Sequence, residues 1–204
     1  MLRDLIVGPH QISFDITNKC NLRCLHCYNS SGENLASQNE LTDQEVLDFI
    51  DEFKSIKLLN FCFCGGEPLL RKELIVEAAK RLRTYGCENV AMVSNGILMT
   101  DEVIEELINA GVTRIQISLD GIKAESHDRI RNKKGVYEKA TRAIEALVKH
   151  GVDTAVAFTP TSFNISELRA VRDYLHTVGI SGTSLRVQPP VSYTHLTLPT
   201  ILRV

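Results

Sequence analysis

The chain has 204 residues, 44% of them apolar and 24% charged, with a net charge of −2, which is enough for one sizeable core and short for two. Charges of both signs are mixed along the chain, which argues against a nucleic-acid surface, and no apolar run approaches the ~20 residues of a membrane helix. The start, Met1-Leu2-Arg3-Asp4, lacks the basic-then-apolar layout of a signal peptide, so the expectation is a cytoplasmic protein with neither nucleic acid nor membrane among its partners.

In chain order, the first element is a strand over Gln11–Thr17, followed at once by Cys20, Cys24 and Cys27. Thr42 and Glu45 have the spacing of a capping box, and the apolar residues Val46, Leu47, Phe49, Ile50 and Phe53 after them are spaced as on a helix. A second strand is expected over residues 58–63, then Gly65-Gly66-Glu67-Pro68, then a helical stripe of Leu74, Ile75, Ala78, Ala79 and Leu82. Cys62 and Cys64 alternate with Phe61 and Phe63 and so share one face of that strand. Both are expected to be buried core thiols, as is Cys87.

Four segments then repeat one layout: a helix, a glycine, a short apolar strand. The glycines are Gly86, Gly111, Gly151 and Gly179, and the strands cover residues 89–93, 113–119, 153–158 and 183–187. Each glycine stands where a helix commonly ends in a left-handed residue. Thr100 is placed to cap a helix with Asp101 and Glu102 in its first turn, and Asn164 with Glu167 has capping-box spacing. Six alternations of strand and helix predict an α/β fold with a parallel sheet, either an incomplete barrel or an open doubly wound sheet. In both, chemistry gathers at the carboxyl ends of the strands. The cysteines, Gly65 to Pro68, Ser94-Asn95-Gly96 and Ser118-Leu119-Asp120-Gly121 all follow strands and would share one rim.

Residues 191–204 contain no Asp, Glu, Lys or Gly and continue no upstream pattern. They resemble the translated end of a sequencing adapter and are set aside as an artefact. Residues 1–190 are then expected to form one core domain, truncated near Pro190.

Cys20-x3-Cys24-x2-Cys27 places three thiolates on one short loop, and three thiolates favour an iron–sulfur cluster or zinc. A structural zinc site wants four ligands, and His26, adjacent to Cys27, is an awkward fourth. Together with Gly65-Gly66-Glu67-Pro68 and the Ser118-Leu119-Asp120-Gly121 turn, this loop resembles the radical S-adenosylmethionine superfamily. The similarity runs from about Ile12 to Pro190. Asn21 to Tyr28 and His127-Asp-Arg-Ile-Arg131 resemble its peptide- and protein-modifying branch, whose members usually carry a SPASM or twitch extension.

The resemblance implies a partial (β/α)6 TIM-like barrel. It also implies a 4Fe–4S cluster held by Cys20, Cys24 and Cys27, with one iron left open for the amino and carboxylate groups of S-adenosylmethionine. Reductive cleavage of that cofactor would give a 5′-deoxyadenosyl radical that takes hydrogen from the substrate. Gly65, Gly66, Glu67 and Pro68 are expected around the amino group, where Glu67 or nearby backbone carbonyls accept hydrogen bonds. Ser94 and Asn95 lie at a strand end near the cofactor. Ser118 matches a position that contacts the ribose or carboxylate, and Arg131 one that pairs with the carboxylate. The implied partners are a peptide or protein substrate and a flavodoxin- or ferredoxin-type electron donor. Alternatives are an enzyme of haem or quinone cofactor biosynthesis and, from another class, a non-catalytic zinc or redox module.

Overall fold

The computed structural model describes residues 9–31, 39–56 and 58–189; the segment 191–204 lies outside them. Six strands form one parallel sheet in sequential order: β1 (Gln11–Thr17), β2 (Asn60–Gly65), β3 (Asn89–Ser94), β4 (Arg114–Ser118), β5 (Asp153–Phe158) and β6 (Leu185–Val187). Among the described residues the helices are α1 (Asp43–Asp51), α2 (Lys72–Thr84), α3 (Asp101–Asn109), α4 (Ala124–Arg131), α5 (Val136–Lys149) and α6 (Leu168–Thr177). The result is the expected α/β partial barrel, with one departure from strict alternation. The crossover from β4 to β5 carries two helices, because Asn132 takes the left-handed conformation (φ 54°) and ends α4 after eight residues.

The core lies between the sheet's outer face and the helices. Phe61, Phe63, Met92, Ile115, Ile117 and Phe158 are fully buried against Ile75, Leu82, Ile104, Leu107 and Ile144. Period-2 alternation of the strands leaves their other face toward the barrel interior. The helix signals read from sequence are present. Thr42 and Glu45 form a complete capping box, Thr100 accepts from Val103 N, and the four helix-ending glycines have φ from 73° to 93°.

Three expectations need correction. Strand β2 runs two residues further on than the apolar run suggested, because Cys64 and Gly65 still pair with Asp15 and Thr17 of β1. Asn164 and Glu167 do not form a capping box. Asn164 is fully buried and donates to the carbonyls of Asp120 (2.8 Å) and Thr159 (2.9 Å), while the Glu167 carboxylate accepts from Ile122 N and Ser126 Oγ. Residues 165–167 are accordingly a 3-10 turn and α6 starts at Leu168. Cys62 and Cys64 are only half-buried: they face the barrel interior, with their sulfurs 3.5 Å apart, while Phe61 and Phe63 take the core side. Cys87 is buried as expected.

Candidate active site

A cavity of about 580 Å³ opens at the carboxyl ends of the strands. Its wall includes Cys20, Cys24 and Cys27 from the loop after β1, Gly65 and Gly66 after β2, Ser94 and Asn95 from β3, Ser118 from β4, and Arg131 from α4. Nine of the eleven expected site residues therefore line one cavity. Glu67 and Pro68 lie behind it.

The cysteine loop is fixed by contacts from three later segments. Glu67 N donates to Lys19 O (2.9 Å), Asn95 Nδ2 donates to Asn21 Oδ1 (2.7 Å), and Leu25 N donates to Ile130 O (2.9 Å). Each sulfur also accepts a hydrogen bond from an N–H donor: Cys20 from Leu22 N at 3.4 Å, Cys24 from Arg131 Nη1 at 3.7 Å, and Cys27 from Ser31 N at 3.3 Å. Sulfur is a weak acceptor as a thiol and a better one as a thiolate. Three cysteines lining one cavity, each sulfur facing a donor, form a donor set that fits an iron–sulfur cluster. Among the described residues no three His, Cys, Asp or Glu side chains are drawn together as a single-ion site. Burial pushes the Cys20 and Cys24 thiols above the ordinary range, the latter against the pull of Arg131.

Gly65 and Gly66 are there because backbone crowds them. Gly65 has φ +124°, and a Cβ on it would strike the Thr17 carbonyl, while a Cβ on Gly66 would strike the carbonyls of Lys19 and Asn18. Behind them Glu67 is fully buried and its carboxylate accepts from Ser94 Oγ (2.9 Å), Asn95 N (2.8 Å) and Leu69 N (3.2 Å). Its side chain thus ties the β2 loop to the β3 loop. Burial raises its pKa, opposed by the hydrogen bonds from Asn95 and Ser94.

The β4 end carries a group that sequence reasoning left as part of a turn. Asp120 is fully buried and pairs with Arg131 Nη2 at 2.6 Å. Its Oδ1 accepts from Thr159 N (2.8 Å), and its backbone N–H donates to His127 Nδ1 (3.0 Å). Burial alone would raise the Asp120 pKa, but Arg131 and His26 more than offset it and hold the carboxyl below its ordinary value. His26, 3.4 Å from Asp120 Oδ2, and His127 are both brought down to about 4, by burial first and by Arg131 second, so both rings are neutral at pH 7. Gln116 also reaches the cavity wall from the middle of β4 and is 7% exposed. The signal for Gln116 was present, a polar residue between Ile115 and Ile117 on a strand whose other face is core. Cys64 lines the cavity as well.

An open parallel barrel that collects its thiols, its buried ion pair and its cavity at the carboxyl rim is an enzyme of the α/β-barrel class. The family model described as the Radical SAM superfamily matches residues 14–175, and the chain belongs to that superfamily. It is 36% identical over 164 residues to an AdoMet-dependent heme synthase of Methanosarcina barkeri, covering 79% of this chain and 45% of that protein. It is 34% identical over 164 residues to the mycofactocin maturase MftC of Mycolicibacterium smegmatis, covering 79% and 40%. The chain thus spans less than half the length of these curated relatives. Among solved structures, SuiB of Streptococcus suis bound to S-adenosylmethionine superposes with a TM-score of 0.78 at 14% identity, over 95% of this chain and 44% of that one. The structure titled native anSMEcpe with bound AdoMet and Cp18Cys peptide gives 0.72 at 20%, over 89% and 51%. Family membership overturns the reading as a non-catalytic zinc or redox module. None of the described helices is long and apolar enough to cross a membrane.

Proposed function

We propose that Cys20, Cys24 and Cys27 hold a 4Fe–4S cluster, and that the chain is the catalytic core of a peptide or protein maturase. The observation that carries the cluster assignment is three cysteines lining one cavity, each sulfur accepting an N–H hydrogen bond. When bound, the cluster and S-adenosylmethionine supply reductive cleavage and a radical that abstracts hydrogen. The chain's own residues bind and orient. Gly65 and Gly66 bring backbone carbonyls close to an amino group, with Pro68 fixing the turn and Glu67 locking it to Ser94 and Asn95. Ser118 offers a hydroxyl from the β4 end. Arg131 spends Nη2 on Asp120 and Nη1 on Cys24, and its buried Nε has no hydrogen-bond partner among the described residues, which leaves a donor for a carboxylate. A flavodoxin- or ferredoxin-type protein in the cytoplasm supplies the electron.

Support for a peptide or protein substrate is the likeness to MftC and to structures titled with a bound peptide, SuiB with its precursor SuiA and anSMEcpe with Cp18Cys. A second reading, synthesis of a tetrapyrrole cofactor, is favoured by the heme synthase of M. barkeri. Anaerobic reconstitution tests the cluster: iron and sulfide should bind, and Cys20→Ala, Cys24→Ala or Cys27→Ala should each abolish reductive release of 5′-deoxyadenosine. Zinc alone, with no deoxyadenosine from the unmutated chain, overturns the assignment. Deuterium transfer into deoxyadenosine from a labelled precursor peptide, and not from a labelled iron porphyrin, selects the maturase; the reverse selects the alternative.

A further inference from the structure

The Asp120–Arg131 pair is built more firmly than a surface ion pair. Asp120 is fully buried and Arg131 is 8% exposed. Asp120 is held from two directions, by Thr159 N beyond β5 and through its own N–H by His127 of α4. Its carbonyl is held by Asn164. The carboxylate therefore cannot swing, and the guanidinium it grips at 2.6 Å is fixed with Nη1 at 3.7 Å from Cys24 Sγ. The pair has a direction, its positive end on the sulfur and its negative end one side chain further away.

We propose that Asp120 and Arg131 are positioning residues whose oriented charges set the reduction potential of the cluster held through Cys24. This rests on the cluster assignment above. One electron entering a thiolate-ligated cluster adds one negative charge to it. A cation against a ligand sulfur favours that charge, and the low dielectric of a buried site strengthens the effect. Hydrogen bonds and net charge around the sulfurs are established levers on such potentials. Arg131 accordingly raises the potential and Asp120 moderates the rise.

The two residues must act with opposite sign, and a purely structural role gives no such signature. The full chain and its R131Q, R131K and D120N variants are reconstituted anaerobically without S-adenosylmethionine. Iron and sulfide are counted first, and the midpoint is then followed by paramagnetic resonance during reductive titration. The expected result is a lower midpoint and shifted g-values in R131Q, a midpoint between R131Q and the unmutated chain in R131K, and a higher midpoint in D120N. If D120N does not fold, the order of the two Arg131 variants decides. Absence of a cluster from the unmutated chain defeats the cluster assignment itself. A cluster present in all chains, with midpoints unchanged or moved in the same direction by R131Q and D120N, overturns the proposal and leaves the assignment standing.

Discussion

Replacing Gly66 by alanine tests whether the glycine pair exists for close backbone approach. A Cβ there would collide with the Lys19 carbonyl oxygen, and would lie 2.7 Å from that carbonyl's carbon and 2.9 Å from Asn18 O, about 0.7 and 0.5 Å inside the 3.4 Å of ordinary contact. Neither neighbour is a side-chain tip that can turn away; both are backbone of the segment leading into Cys20. The segment has to move by more than that distance, the carbonyl oxygen being nearer still, at about 1–3 kcal/mol for overpacking. The shift also strains the 2.9 Å hydrogen bond from Glu67 N to Lys19 O, worth about 1 kcal/mol. Together these come to about 2–4 kcal/mol, or a thermal midpoint roughly 4–16 °C lower at 2–4 °C per kcal/mol. Cluster loading should fall with it, because the displaced carbonyl immediately precedes a ligand. Gly86→Ala is the control. Its φ is +86° and nothing lies within 4 Å of the added Cβ, so it should cost about 1 kcal/mol in backbone strain and leave iron per chain unchanged. A Gly66→Ala protein with full cluster content and an unshifted midpoint would refute the reasoning.

Glu67→Gln turns an amide N–H₂ toward at least one of the donors that now meet the carboxylate, Asn95 N or the Ser94 hydroxyl and Leu69 N. Such a buried mismatch should cost about 1–3 kcal/mol in a denaturant titration, whereas a merely surface glutamate would give almost no change. Acid should destabilise the fold through His127. Its folded pKa of about 4 lies below the ordinary 6.5, so between those values the unfolded chain binds a proton that the folded chain does not. Stability is then complete above about pH 6.5 and falls, by up to about 3 kcal/mol, as pH drops toward 4. Denaturant midpoints measured from pH 7 to 4.5 should show that slope, and His127→Gln should reduce it to the part contributed by His26, whose pKa is also about 4.

Much of the architecture was legible because local chemistry and global fold agree. Glycines stand where helices end left-handed, capping threonines stand where helices begin, and apolar residues alternate where strands lie. The rim position of the cysteines, the glycine pair, Ser94 and Ser118 followed from the rule that they come after strands. What sequence did not show was how residues far apart satisfy one another. Asn164 has the spacing of a cap, but Asp120 and Thr159 offer buried carbonyls that need its amide more. Asp120 looked like a turn residue until α4 folded back to place Arg131 beside it. Cys62 and Cys64 were assigned to a face correctly and to the wrong layer, since period 2 cannot say which side of a sheet is covered by helices.

The clamps on the cysteine loop carry a consequence for the order in which the protein is made. Leu25 is fixed by Ile130 and Cys24 faces Arg131, partners more than a hundred residues further along the chain. At ribosomal speeds of about 5–20 residues per second, α4 is synthesised roughly 5–20 s after the cysteines. For that interval the three thiols have been translated and their last anchors have not. On the proposed assignment, the bracing of the thiols is complete only once α4 has folded against their loop.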